Sequence, residues 1–394
     1  MKTTCLVLGI AAALSAPAWA QDVAVPADPP AVEPAPEVGY KKGFFVNSAD
    51  GKHSLTVQGR VQARYQHESL DGGADDRETE NAFSIARARL TLKGHAFSDD
   101  IKFKFQTDFG KGGATLKDFL IDYALRPGVI VRAGQWKRPL SRQQINSSGS
   151  LELVDRAITD KAFGAGRDIG VAVHNNYEKS PDLEWIVGVF NGTGEKPVLT
   201  GDVVVDPMTG EGEIVGGGFS NVPDHILPAV VARVGINRNG IKGYSEADLE
   251  GGPLRFGVGA SVLSELDTDG DDSSRVVGEV DYVVKSAGFS TTGGVYVASA
   301  QDGAGFGDQS YAALGAHVQA GYMLAGIYQP ALRVALVDPD GDDNNTTEIT
   351  GGFSVYAFKH GFKWQTDVGA LIGQVAGADS TTDLLARTQL QLSW

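Results

Sequence analysis

The chain has 394 residues, 42% of them hydrophobic, a formal net charge of −15 and one cysteine, Cys5. The acidic balance argues against nucleic acid as a partner, and a single cysteine excludes a disulfide framework or a thiolate metal site. After the N-terminal run, no apolar stretch approaches the ~18 residues of a membrane helix, whereas 51 glycines and pervasive two-residue alternation favour an outer-membrane β-barrel.

The first residues read as a secretory signal. A lysine precedes the apolar run Leu6 to Leu14, and Ala18-Trp19-Ala20 fits a small-x-small cleavage site, so residues 1–20 are expected to be removed. Residues 21–42 are rich in proline, alanine and acid and are expected to form a periplasmic spacer. The barrel is expected to occupy residues 43–394, with one short strand at Gly43–Val46.

From His53 to His67 apolar and polar residues alternate. Leu55, Val57, Val61, Ala63 and Tyr65 share one face; Arg60, Gln62 and Arg64 share the other. In a membrane barrel the apolar face meets lipid and the polar face lines the lumen. The pattern continues with Ala86, Ala88, Leu90 and Leu92 against Arg87, Arg89 and Lys93, then Phe103 and Phe105 against Lys102 and Lys104. Strands follow near 119–126 and 128–136, and eleven more between 168 and 394 bring the total to sixteen. Connections alternate between long and tight, as the two rims of such a barrel require. The stretch Arg238–Gly252 is an exception, long where a short turn is due.

The longest polar insertion separates the strand at 128–136 from the one at 168–176. It carries Lys137, Arg138, Arg142, Arg156, Lys161 and Arg167, with a helical turn or two expected at Leu151–Ile158. From Lys52 to Arg167 there are 19 basic and 14 acidic residues, against 15 and 35 in the remainder, so an anion site belongs in this first part. The candidate pore-lining, anion-binding residues are Arg60, Arg64, Arg87, Arg89, Lys102, Lys104, Arg132, Lys137, Arg138, Arg142, Arg156 and Arg167. Guanidinium groups in a narrow pore match carboxylate and phosphate oxygens. The competing reading has the lumen cations balanced by Asp108, Asp118 and Asp122, and the loop cations by Glu152, Asp155, Asp160 and Asp168, which would fix the loop to the wall.

Two acidic tracts, Asp267–Asp272 and Asp338–Asn345, lack the twelfth-position glutamate of an EF-hand, where Gly278 and Ile349 stand instead. They read as solvated loop tips beside lipopolysaccharide, with no metal or cofactor called for. No G-x-S-x-G, P-loop or H-E-x-x-H motif suggests an enzyme. The final strand places Leu384, Ala386, Thr388, Leu390, Leu392 and the terminal Trp394 on one face.

The ordered segments GRVQARY (59–65), ARARLTLKG (86–94), VRAGQWKRPLS (131–141) and AFGAGRDIGV (162–171) resemble the phosphate-selective porin O and P family. The resemblance implies a sixteen-stranded homotrimeric barrel in the outer membrane, with its third extracellular loop folded inward as a constriction. It also implies a basic pore for small anionic solutes such as phosphate or polyphosphate; the matching positions are Arg60, Arg64, Arg87, Arg89, Arg132, Lys137 and Arg167. The alternatives are a general or weakly cation-preferring porin and a non-conducting structural or adhesive barrel.

Overall fold

In a computed structural model, the described residues are 35–71, 77–195, 198–205, 212–223, 225–266, 274–301, 311–339, 344–374, 377 and 379–394. The expected signal, most of the spacer, the first acidic tract and positions 340–343 of the second lie outside them. The strands in chain order are β1 (Glu37–Tyr40), β2 (Phe44–Asn47), β3 (Ser54–Asp71), β4 (Arg77–Ala96), β5 (Ser98–Asp108), β6 (Thr115–Arg126), β7 (Val129–Lys137), β8 (Arg167–His174), β9 (Leu183–Phe190), β10 (Val198–Val205) and β11 (Gly212–Ser220). They continue with β12 (Ala229–Arg238), β13 (Arg255–Leu266), β14 (Ser274–Ser286), β15 (Phe289–Gln301), β16 (Tyr311–Tyr322), β17 (Tyr328–Asp338), β18 (Thr346–His360), β19 (Phe362–Gly373) and β20 (Thr381–Ser393).

Sixteen of these, β3–β9 and β12–β20, pair antiparallel with their neighbours and close on themselves. The seam joins β20 to β3, from Leu384 opposite Ser69 to Ser393 opposite Arg60. Closure leaves no sheet edge among these strands, the condition for crossing a bilayer with strands. Alternation puts Phe119, Ile121, Val295, Val318 and Leu392 on the outer surface, all 48% exposed or more. So much exposed apolar surface belongs against lipid.

The chain end is held in the seam. Gly59 and Trp394 exchange backbone hydrogen bonds at 3.0 Å in both directions. The indole lies across Gly59, where a Cβ would come within 2.1 Å of the ring. A glycine at that position is therefore what lets the terminal aromatic fold back onto β3.

The expected short strand at Gly43–Val46 is β2, which pairs with β3; its hairpin partner β1 falls within the stretch read as spacer. The β3–β4 register shifts at Gln62/Ala63, pairing Gln62 with Arg87 but Ala63 with Ile85. Ala86 is the extra residue of a bulge, and the alternation changes phase there. Phe83 and Ile85 therefore join the outer face. The segment between β9 and β12, which the strand count leaves as a long connection, contains the β10–β11 hairpin.

Gln62 and Gln391 stand on the polar faces of β3 and β20, where alternation alone predicts that arginine is tolerated. They are at most 1% exposed and bond to each other at 2.7 Å beneath the loop between β7 and β8. Arginine at either is expected to disrupt that packing. Arginine at Leu90 or Leu392, on the lipid side, is expected to cost ~2–4 kcal/mol near mid-bilayer. Urea unfolding in vesicles, followed by heat-modifiable gel mobility, checks both.

Candidate functional site

The loop between β7 and β8, here called L3, fills much of the lumen. Its helical turns are α1 (Arg142–Ile145) and α2 (Ile158–Phe163); the expected turn at Leu151–Ile158 is not helical before Ile158. Ser141 caps α1, its Oγ accepting from Gln144 N–H at 3.1 Å. Lys137 closes the other end, donating to the carbonyls of Gln144 at 2.5 Å and Asn146 at 2.7 Å. A cation among helix C-terminal carbonyls is favourable in charge and in hydrogen bonding.

L3 is tied to strands around the barrel. Arg138 meets Glu265 of β13 at 2.6 Å, and Arg142 meets Asp281 of β14 at 2.8 Å. The chain then reaches β3, where Arg60 donates to Ser147 Oγ at 2.8 Å and Ser148 Oγ at 3.2 Å. Lys363 of β19 donates to Leu151 O at 2.8 Å, and Asp367 of β19 accepts from Val154 N–H at 2.9 Å. Glu348 of β18 accepts from Ile158 N–H at 2.8 Å. Phe163 stacks on Tyr296 of β15 with centroids 5.2 Å apart, in a slot left by Gly315, where a Cβ would come within 2.3 Å of the ring.

The rest of the site follows from these anchors. Arg60 and Arg89 are directly opposite on β3 and β4, and Gln62 is opposite Arg87. Arg60 has Arg89, Arg87, Asp108 and Arg156 as charged neighbours; Lys137 has Arg156, Arg167, Asp118 and Arg89. Arg64 and Arg87 converge on Asp155 of L3 at 2.6 and 3.1 Å. Burial alone would raise the Asp155 carboxyl, but Arg87 and Arg64 hold it well below the usual carboxylate range. Lys104 and Arg167 share Asp118 at 2.5 and 2.8 Å, and Arg89 holds Asp108 at 2.7 Å. Arg156 bonds the carbonyls of Gln143 and Asn146, with Asp160 at 3.8 Å.

Eight of the twelve candidates thus gather where L3 faces β3–β8: Arg60, Arg64, Arg87, Arg89, Lys104, Lys137, Arg156 and Arg167. Four do not join them. Arg138 and Arg142 are consumed by Glu265 and Asp281 across the lumen. Arg132 is held bidentately by Asp122 at 2.7 and 2.9 Å, with Glu178 at 3.1 Å. Lys102 is exposed on β5, with no ion pair among the described residues.

The balancing arrangement weighed from sequence is also present. Asp108, Asp118 and Asp122 each hold a lumen cation, while Asp155, Asp160 and Asp168 hold L3 or its neighbours. Glu152 departs from it. Its carboxylate accepts from Ser290 Oγ, from Gln329 Nε2 at 2.7 Å and from Gln319 Nε2 at 2.9 Å. The eight gathered cations therefore face Asp108, Asp118, Asp155, Asp160 and Glu195, the last 3.7 Å from Arg167, leaving the cluster positive. Arg60 meets serine hydroxyls and has no ion pair among the described residues.

Toward the rim of short turns, periplasmic in barrels of this kind, a chamber of about 720 Å³ opens beside this cluster. Arg60, Arg89, Lys93, Lys104 and Gln106 form one side; Lys242, Asp248, Glu250 and Lys285 approach from the other. Lys93, Lys285 and Lys242 were not among the candidates. Lys93 follows from the same alternation as Arg87 and Arg89. Lys242 belongs to a turn that sequence left unexplained.

The comparisons agree with this architecture. The sequence matches the family described as phosphate-selective porin O and P over residues 55–392. No curated protein matches the chain. Among solved structures, it is similar to the anion-selective porin from Comamonas acidovorans, with TM-score 0.58 and 12% identity, over 87% of this chain and 100% of that one. It is likewise similar to the outer membrane channel DcaP of Acinetobacter baumannii, with TM-score 0.58 and 15% identity, over 88% and 99%. A third is the trimer form of OmpT from Vibrio cholerae, with TM-score 0.52 and 12% identity, over 86% and 99%. At these identities the likeness concerns the fold. A closed sixteen-stranded barrel with an apolar exterior and an inward-folded loop, matched to the family over most of its length, makes this chain a member of the phosphate-selective porin O and P family and an outer-membrane channel.

Proposed function

We propose that the protein is an anion-preferring porin, passing small anions between L3 and the β3–β8 wall. The observation that carries this reading is the excess of cations there: eight basic groups against five carboxylates, four aspartates and Glu195, with Arg60 bound only to serine hydroxyls. An arriving oxyanion can exchange part of its hydration for guanidinium and ammonium donors already in place. The acidic groups of distant loops act through a field screened within ~8 Å at physiological salt, so the local excess outweighs the net −15. Phosphate and oligophosphate are the solutes the family name suggests, and the anion selectivity printed for the Comamonas porin supports the same sign. The trimer form of OmpT supports a homotrimer. The proposed mature protein has lost residues 1–20, carries a spacer over 21–42 and sits among outer-membrane lipid and lipopolysaccharide.

Replacing Arg60, Arg89 and Lys104 with glutamine tests the reading. Each lost charge is expected to remove on the order of 1 kcal/mol of anion stabilisation, about fivefold in occupancy. The zero-current potential in a salt gradient should move toward the cation side. Neutralising Asp338, at the outer end of β17, should leave it nearly unchanged. A stronger response to Asp338→Asn than to the triple glutamine variant would favour the general porin.

A further inference from the structure

Sixteen residues, Asn239 to Leu254, join β12 to β13 on the rim of short turns, where the other connections run from one to eight residues. The turn folds inward: Ile241, Glu246, Ala247 and Asp248 are at most 3% exposed. There it meets L3. Glu246 N–H donates to Ser150 O at 3.1 Å, and Glu246 Oε2 accepts from Glu152 N–H at 2.9 Å. Gln319 Nε2 donates to Glu152 Oε2 at 2.9 Å and to Glu246 Oε2 at 3.0 Å, so carboxylates from two separate connections converge on one amide. Glu246 Oε1 is buried and accepts no hydrogen bond. The same turn forms the wall of the chamber opposite Arg60, Arg89 and Lys93.

We propose that turn 239–254 is a gate at the periplasmic mouth, latched to L3 by a proton shared between Glu152 and Glu246. Two buried carboxylates around one donor resist ionising together. Burial, with Glu246 alongside, pushes the Glu152 carboxyl up to about 7. Two ammonium groups face the pair and attract its carboxylates, Lys285 and Lys363, and each also holds loop carbonyls. Lys285 of β14 donates to Ser245 O at 2.5 Å and Lys242 O at 3.1 Å; Lys363 of β19 donates to Leu151 O. Asp248 is held by Arg255 at 2.6 Å, and His360 lies 3.1 Å from Ser245 Oγ. The Tyr356 hydroxyl donates to Gln329 Oε1 at 2.8 Å, orienting the amide that Glu152 accepts from. Arg60 of β3 acts on Lys363 rather than on the pair itself.

The sign follows from linkage. With the turn released, Glu152 meets lumen water and returns toward its ordinary 4.5. The latched state therefore binds the proton more tightly. Its advantage is complete below the ordinary carboxylate range and is lost as pH rises through about 7. Acid closes the gate and mild base opens it.

The test is single-channel conductance of the full chain in planar bilayers between about pH 5 and pH 8. This readout is the size of the conductance, so it does not depend on anion preference. The wild type should favour a smaller conductance in acid and a larger one above neutrality. Glu152→Gln and Glu246→Gln each retain a hydrogen-bonding amide without a titrating proton, and each should abolish the midpoint near neutrality. Replacing residues 240–251 with Asn-Gly should give the larger conductance at every pH. A wild-type conductance independent of pH overturns the proposal, as does a midpoint that survives in both glutamine variants.

Discussion

Replacing Asp281 with alanine is expected to destabilise the barrel by about 3–5 kcal/mol and to detach the first half of L3 from its wall. Asp281 is 3% exposed and accepts four hydrogen bonds. Two come from Arg142, N–H at 2.9 Å and Nε at 2.8 Å; two come from Arg233 of β12, at 2.7 and 3.0 Å. Removing it leaves two buried guanidiniums short of a counter-charge, with Glu184 at 3.2 Å from Arg233 and 3.8 Å from Arg142, and Glu279 at 3.5 Å from Arg233. A buried pair contributes little net when whole, but an orphaned buried charge is costly. Asp281→Asn keeps the shape and part of the hydrogen bonding and should lose less. Urea unfolding in vesicles gives the stability, and conductance noise reports the loosened loop. An alanine variant as stable as the wild type, with unchanged noise, would contradict the placement of Arg142.

Asp155→Asn is expected to act on selectivity. Its carboxylate is shared by Arg64 at 2.6 Å, Arg87 at 3.1 Å and Arg387 at 3.5 Å. Losing one negative charge among three guanidiniums should strengthen anion preference by about fivefold, on the order of 1 kcal/mol in a wet lumen. L3 should also hold less firmly, since Asp155 is one of its ties to β3 and β4. Because Arg87 and Arg64 keep this carboxyl low, the tie should persist through mild acid and fail only under strongly acidic conditions. Salt-gradient potentials at neutral pH separate the outcomes; a shift toward cations would mean that Asp155 does not border the ion path.

The barrel was legible because its rule is local. Side chains alternate along a strand, and the bilayer demands apolar residues on one side over some ten positions. His53–His67 and Asp383–Trp394 show that rule without interruption. It slips where a bulge adds a residue, as at Ala86, because alternation carries no mark of the partner strand. The path of L3 was not legible in the same way. Its contacts join residues far apart in sequence, such as Arg142 with Asp281 and Leu151 with Lys363. Charge pattern could gather Arg60, Arg87 and Arg89, which stand on adjacent strands, but could not tell that Arg138 and Arg142 would be spent on the far wall. The turn at 239–254 announced itself only by being too long, since Glu246 and Asp248 look like ordinary surface acids until Ser150 and Arg255 are placed beside them.

The central claim is that the local excess of cations, rather than the overall charge, sets which ions pass. The most direct measurement is the zero-current potential of the wild-type channel under a potassium chloride gradient at low ionic strength and neutral pH. The potential should be displaced toward chloride equilibrium, shrinking as salt is raised. A potential displaced toward potassium would contradict it.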